Sequence, residues 1–188
     1  MNVQGDTTAE VEYITAAMRT AATRFRGHPY SYRQGSGLIP MAVHPVFTYS
    51  SSLTSWTMDT LQPIHDLWGL MGKRAWDLTE GHHSAPFLTP ATEGGVASTS
   101  PFHLAAKHSL QFLQAICTGL QDDILSLVQD EWRTLCRTWG TCRPQEIQAA
   151  LLLEDSATNS RTLLSRVPYY LGHVGVVLAW EQLPDLIR

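Results

Sequence analysis

Apolar residues return at every third or fourth position along most of this chain, a spacing that predicts helices and no sheet. From about Thr8 to Arg26 the apolar positions are Val11, Ile14, Met18, Ala21 and Phe25, the stripe of an amphipathic helix. A second helix is expected to begin near Trp56 to Asp59 and to run to about Leu78. Its apolar line is Leu61, Ile64, Trp68, Met71 and Ala75, and Pro63 falls in its first turns, where proline is tolerated. The longest pattern starts behind Ser98 to Ser100, which supply caps for a helix opening at Pro101. Leu110, Leu113, Cys117, Leu120, Ile124 and Leu127 then alternate in three-and-four steps, predicting one helix to about Thr138 that stops at Gly140. Pro144 to Glu154 reads as a short helix opened by its proline, and Asp155 to Ser160 as a polar turn. The last helix is expected from about Arg161 to Leu183. It is apolar nearly all round, through Leu163, Leu164, Val167, Leu171, Val174, Val176, Val177, Leu178 and Trp180, so it should be the most buried element, with Pro168 bending it or delaying its regular part.

Two segments interrupt the helices. Gly27 to Ser55 is rich in Gly, Pro, Ser and Tyr, and with Tyr30, Tyr32, Phe47 and Tyr49 it reads as an ordered loop over one end of the molecule. Glu80 to Ser100, with Gly94-Gly95 and no periodicity, reads as a second loop. Four long helices and two large crossing loops predict a single all-α domain over residues 1–188, a four-helix bundle of the kind that holds cofactors between facing helices.

Composition narrows the partners. The 188 residues, 44% hydrophobic and 16% charged, suit one soluble domain with a full core. Thirteen Lys and Arg against seventeen Asp and Glu give a net charge of −4, and the basic residues are scattered. Nucleic acid is therefore not an expected partner, because phosphate binding needs concentrated positive charge. No run of eighteen apolar residues and no signal-peptide pattern at Met1 to Asp6 occur, so no membrane association and a cytoplasmic location are expected. Three cysteines without Cys-x-x-Cys spacing suggest neither a disulfide framework nor a zinc ribbon. Cys117 reads as a small core residue, whereas Cys136 and Cys142 could approach each other across Trp139-Gly140.

The candidate chemistry lies with histidines inside apolar helical patterns, where a polar ring needs a partner. His65 falls near the line of Leu61, Ile64 and Trp68 and so points toward the core. His173 shares a face with Tyr169, Val177 and Trp180, and Tyr169 stands one turn before it, so the pair could present an oxygen and a nitrogen to one point. His103 continues the Leu110 and Leu113 stripe and is a third inward candidate, while His108 turns away. The bland alternative for each is a hydrogen-bonded core histidine. Glu80-Gly81-His82-His83 matches the Glu-x-x-His step of di-iron bundles in letters, but Gly81 and the following Ser84-Ala85-Pro86 argue against the helix that step requires. There is no Gly-x-Ser-x-Gly turn and no phosphate loop, and Gly35-Ser36-Gly37 is too short to mean a nucleotide site.

Trp56-Thr57 followed by His65, and His173-Val174-Gly175 after the polar start Asn159-Ser160 and the run Leu163-Leu164-Ser165-Arg166-Val167, resemble the DinB/YfiT-like superfamily of metal-binding four-helix bundles. Members typically open helix two with Trp-Ser or Trp-Thr, place a histidine about two turns later and carry His-x-x-x-His-x-Gly on the last long helix. The resemblance covers the chain from helix one to about Val177, with the first spacing one residue longer than the commonest. It departs at Tyr169, where the family has the first residue of its paired ligand step, usually His and sometimes Glu. A phenol binds metal as phenolate, and its free pKa near ~10 makes it a poor ligand.

The resemblance implies a divalent metal, Zn, Ni or Fe, held by His65 and His173. Tyr169 would complete the shell or orient substrate; otherwise the site is filled by His103 or a loop histidine, or is lost. It further implies a metal-dependent enzyme that transfers a thiol to an electrophilic small molecule, or hydrolyses or isomerises one. A metal-free pocket that binds or cyclises an organic, natural-product-like substrate is a second reading, favoured by Tyr169 at a ligand position. A non-catalytic binding protein, dimeric through the last helix or the helix-one surface, is a third.

Overall fold

The computed structural model describes residues 8–26, 30–51, 56–79, 81–118, 122–153 and 162–177, and among them every regular element is helical. The chain divides into two compact units, Met1–Leu104 and Ala105–Arg188. Among the described residues no helix is long and apolar enough to cross a membrane.

In the first unit α1 (Thr8–Arg24), α2 (Tyr32–Ser51) and α3 (Met58–Ala75) each pack on the other two. Helix α1 buries Ile14, Met18 and Ala22, with Phe25 just past its end, as the apolar spacing requires. Helix α3 opens on a capping box: the Thr60 amide donates to the Thr57 hydroxyl at 3.3 Å, and the Thr57 amide donates to the Thr60 hydroxyl at 3.0 Å. All five residues of its expected apolar line, Leu61, Ile64, Trp68, Met71 and Ala75, are buried. The Arg74 guanidinium donates to the Ala22 carbonyl at 2.8 Å, satisfying one of the orphan acceptors at the end of α1.

The loop expected over Gly27 to Ser55 is corrected, because 32–51 form α2. Beneath the Gly, Pro and Ser composition runs a strict four-residue repeat, Gly35, Ile39, Val43 and Phe47, and all four are buried. Tertiary burial of that face overrides the low helix propensity of Pro40 and Pro45. Phe47 stacks on Trp56, with ring centroids 5.1 Å apart and planes at 17°, which ties α2 to the start of α3.

After α3 the chain forms the short α4 (Ala85–Leu88) and a single 3-10 turn at Ala91–Glu93, in the region expected to be loop. Phe87 is its anchor, meeting Trp68 edge-on at 6.0 Å and Trp76 tilted at 5.1 Å. The return strand of the loop is fastened to the same place, since the Ser98 amide donates to the Phe87 carbonyl at 2.7 Å. Gly72 makes room for the ring: a Cβ there would lie 2.8 Å from Phe87 Cε2.

The single helix expected from Pro101 to Thr138 is two, α5 (Pro101–Thr118) and α6 (Asp122–Trp139). Residues 119–121, between them, lie outside the described residues. The expected stripe also fails in α6. Ile124 and Leu127 are exposed, and the helix turns Val128, Trp132 and Cys136 inward instead. The side chain of Cys117 and the residue Leu120 fall outside the description.

In the second unit α6 packs with α7 (Pro144–Leu153) and α8 (Leu163–His173), and α7 packs on α8. Helix α8 is the most buried element, with every residue from Leu164 to Leu171 buried. Its N-terminus is satisfied by Glu131, whose carboxylate accepts from the Leu164 amide at 2.7 Å, and by the Thr162 hydroxyl, which accepts from the Ser165 amide at 3.3 Å. The buried amide of Gln148 donates to the carbonyls of Pro168 and Val176, at 3.1 and 3.0 Å, fixing α7 to the middle of α8 and to the turn that follows it.

Helix α8 ends ten residues short of the expected Leu183. Gly175, at φ 75°, turns the chain, and the amides of Val176 and Gly175 donate back to the carbonyls of Leu171 and Gly172. Val176 and Val177, expected on its buried face, are exposed, while Leu178 and Trp180 lie outside the described residues, as do Glu154 and the whole of the polar turn at 155–160.

The packing of Phe87 over Gly72 sets the sign of one substitution. At an open helical position Gly→Ala stabilises by up to about 1 kcal/mol, whereas Gly72→Ala is expected to destabilise by about 1–3 kcal/mol through overpacking. Urea unfolding of Gly72→Ala, Phe87→Leu and the double variant checks this. The double variant should lose less than the sum of the two, because the smaller side chain relieves the contact.

Candidate small-molecule cleft

The burial of one face of α3 determines what its neighbouring face can be. Gln62, His65, Asp66, Gly69 and Lys73 follow each other at helical spacing beside the buried line, and they form one wall of a cleft of about 620 Å³. The opposite wall is the loop carrying His82, His83 and Ser84. Gly69 lets that loop come down onto the helix, since a Cβ there would stand 3.1 Å from Ser84 Oγ. Gln62 donates to Asp66 at 2.8 Å, which holds both side chains along the helix.

His65 is half-buried at the margin of the apolar line. Its ring stacks on Trp68 at 5.1 Å with planes at 30°, and meets Phe102 of α5 at 4.8 Å. The Nδ1 atom is buried and has no hydrogen-bond partner among the described residues. Burial pulls its pKa below the ordinary imidazole value; the Asp66 carboxylate opposes this, and His103 adds to it. The ring is therefore neutral near pH 7. Leaving the buried Nδ1 unsatisfied costs on the order of 1–3 kcal/mol.

His103 corrects the expectation of a third inward histidine. It is exposed, and its Nδ1 lies 2.7 Å from the Ser100 hydroxyl, which in turn accepts the His103 amide at 3.4 Å. The ring thus completes the cap of α5, because at the third position of a helix a side chain reaches back to the N-cap more readily than inward. His103 does lie near enough to His65 to perturb it electrostatically.

Tyr169 and His173 belong to the second unit and are brought together there as the one-turn spacing requires, with ring centroids 4.5 Å apart at 74°. Tyr169 is buried and also meets Tyr170 edge-on at 5.7 Å. His173, expected within an apolar helix, is the last residue of α8 and is exposed, because the Gly175 turn ends the helix there.

Sequence reasoning placed His82 and His83 on a loop outside the helical histidine candidates, and both line the His65 cleft. Each Nδ1 is engaged locally, that of His82 at 2.9 Å from the Thr79 hydroxyl and that of His83 accepting the Ala85 amide at 3.3 Å. Residues 81–84 are not helical, so His82 and His83 stand on a loop, and Glu80 lies outside the described residues. Lys73, Asp66 and Gln62 were also missed. The signal for them was present, as a polar stripe at four- and seven-residue intervals beside the apolar one. Among the described residues no three His, Cys, Asp or Glu side chains are grouped so as to hold a metal ion. The donor set described in the first unit, one orphaned imidazole nitrogen beside two locally engaged histidines, falls short of the three protein ligands of a catalytic zinc site.

The lowered pKa of His65 has a defined effect on stability. Below about pH 6.5 the unfolded chain binds the proton that the folded ring resists, so the stability this group supplies is present above that pH and is lost as pH falls through it. His65→Gln should flatten the loss between pH 7.5 and 5.5 by no more than about 1.4 kcal/mol per pH unit. Urea unfolding across that range checks it, and an NMR titration should place the His65 midpoint below the ordinary value. No protein-family model, curated protein or solved structure matches this chain.

Proposed function

We propose that the His65 cleft binds a small polar organic molecule and that His65 acts on it as a general base, promoting isomerisation or cyclisation without a metal. The observation that carries this reading is the neutral, half-buried imidazole of His65 in the wall of a cavity large enough for a metabolite-sized ligand. Trp68 and Phe102 hold the ring in place, which is what a proton-transfer group requires. Lys73 and Asp66 offer opposite charges from the same helix, and His82 and His83 bring hydrogen-bonding rings from the other wall. A substrate that presents an acidic C–H or O–H to His65 and a carboxylate or carbonyl to Lys73 suits this arrangement. The fold that goes with this reading is a DinB-like four-helix bundle in a cytoplasmic protein, supported by the all-helical architecture and by the place of His65 two turns after Trp56-Thr57.

The second reading is the metal-dependent enzyme, with His65 as a ligand, transferring a thiol to an electrophile or hydrolysing it. It is favoured by the same neutral imidazole, which is the form a metal takes. Any bound ion would supply Lewis-acid polarisation, with the remaining donors coming from beyond the groups described above.

One experiment separates the two. The full chain is analysed for Zn, Ni and Fe, treated with chelator, and screened by thermal shift against small carboxylates, ketones and phenols. The proposal expects ligands whose stabilisation survives chelation and falls at least about tenfold in affinity with His65→Ala. Stoichiometric metal whose removal abolishes binding supports the second reading. A full set of compounds that stabilise wild type and His65→Ala equally overturns the first.

A further inference from the structure

We propose that the His65 cleft takes a zwitterion, an amino carboxylate whose two charges stand several bonds apart, with its ammonium at Gln62 and Asp66 and its carboxylate at Lys73 and His83. This rests on the reading of the cleft as a ligand site and adds the class of ligand to it; it does not depend on what His65 does to the molecule. The two ends of the cleft differ in what they offer. At one end Gln62 Nε2 donates to Asp66 Oδ1 at 2.8 Å. A carboxylate only accepts, so this bond fixes the orientation of the Gln62 amide and leaves its Oε1, an acceptor, for another group. Among the described residues no cation pairs with Asp66, and its second oxygen receives no hydrogen bond. Both side chains are exposed along the cleft wall. This end therefore presents acceptors and a negative charge, which a ligand ammonium with its three N–H donors matches.

The other end presents donors. Lys73 lies two turns further along the same helix and brings a half-buried ammonium, whose three donors can serve a ligand carboxylate beside any other bond it makes. His83 adds a second donor from the loop. Its Nδ1 accepts the Ala85 amide at 3.3 Å and so bears no hydrogen, which leaves the ring proton on Nε2. A rise of ~1.5 Å per residue sets the Asp66 and Lys73 backbones roughly 10 Å apart along the axis. The long lysine side chain leans back toward the N-terminal end of the helix and shortens that gap. An ω-amino acid such as ω-aminohexanoate, its charges about 7–8 Å apart when extended, spans the remainder, whereas the charges of an α-amino acid, one carbon apart, do not. A single cavity of about 620 Å³ touches both Asp66 and Lys73, and Leu70, half-buried between them, gives the connecting chain an apolar surface. A plain carboxylic acid leaves Asp66 facing it without a counter-charge, and a plain amine leaves Lys73 and His83 unused. A molecule that carries both charges engages both ends.

NMR-detected titrations of the full chain, at neutral pH and low salt, use ω-aminohexanoate, hexanoate, hexylamine and glycine as probes. The expected result is binding of ω-aminohexanoate with shifts centred on the cleft residues, and an affinity at least about fivefold above that of each other probe, as one partly screened ion pair supplies. Asp66→Asn should bring ω-aminohexanoate down to the level of hexanoate without weakening hexanoate itself. Lys73→Gln should bring it down to the level of hexylamine. Hexanoate that binds as tightly as ω-aminohexanoate, and loses affinity with His65→Ala, overturns this inference and leaves the reading of the cleft standing. A preference for the amine-bearing acid that survives Asp66→Asn also overturns it, as does the absence of binding by every probe. A preference that depends on Asp66 and Lys73 but is indifferent to His65→Ala supports this inference and counts against a role for His65.

Discussion

The side chains of Leu61, Ile64, Trp68, Met71 and Ala75 are all buried, and in the first unit this one stripe leaves little else undetermined. Each of the larger side chains contributes on the order of 1.5–3 kcal/mol by leaving water, so rotating α3 by even one residue would expose most of that gain. With the rotation fixed, the adjoining stripe from Gln62 to Lys73 must lie at the edge of solvent. The same constraint reaches the loop beyond α3. Phe87 packs on Trp68 and Trp76 over Gly72, and this brings residues 82–84 down against the helix at Gly69. The cleft is thus a consequence of core packing: its two walls are the polar margin of a buried helix and the loop that the core pulls onto it.

His65 sits where those demands conflict. One residue from Ile64 on the helix, it is drawn under Phe102 and against Trp68, although an imidazole has two nitrogens to satisfy. The protein resolves the charge by keeping the ring neutral and leaves Nδ1 without a partner among the described residues. Other histidines on the same unit show how readily such a group can be satisfied when nothing else is asked of it. His103 turns to its own helix cap, and His82 and His83 find local partners within three residues. A neutral imidazole held by two aromatic rings in the wall of a cavity is the pattern expected of a group kept for a ligand.

Periodicity made α1, α3 and α7 legible in the sequence, because each has a clean apolar face and an identifiable start. It failed where composition and packing disagreed. The repeat from Gly35 to Phe47 was hidden by prolines and glycines that usually mark loops, and only burial of that face against α1 and α3 makes the segment helical. The opposite error joined α5 and α6, whose apolar positions keep a plausible phase across Gly119 although the buried faces differ. Of the candidate site, the approximate inward direction of His65 and the pairing of Tyr169 with His173 were legible, since each depends on one helix. The cleft was not, because half of it is an aperiodic loop whose position is set by Phe87. The turn at His103 was not either, since a cap and an inward stripe share the same spacing.

Local satisfaction is also the rule in the second unit, where α8 is buried along eight consecutive residues that include Ser165 and Arg166. The Ser165 hydroxyl donates to the Thr162 carbonyl, the Arg166 Nε donates to the same acceptor, and Gln148 spends both its bonds on backbone carbonyls of the α8 region. Such groups are costly to bury and inert once paired.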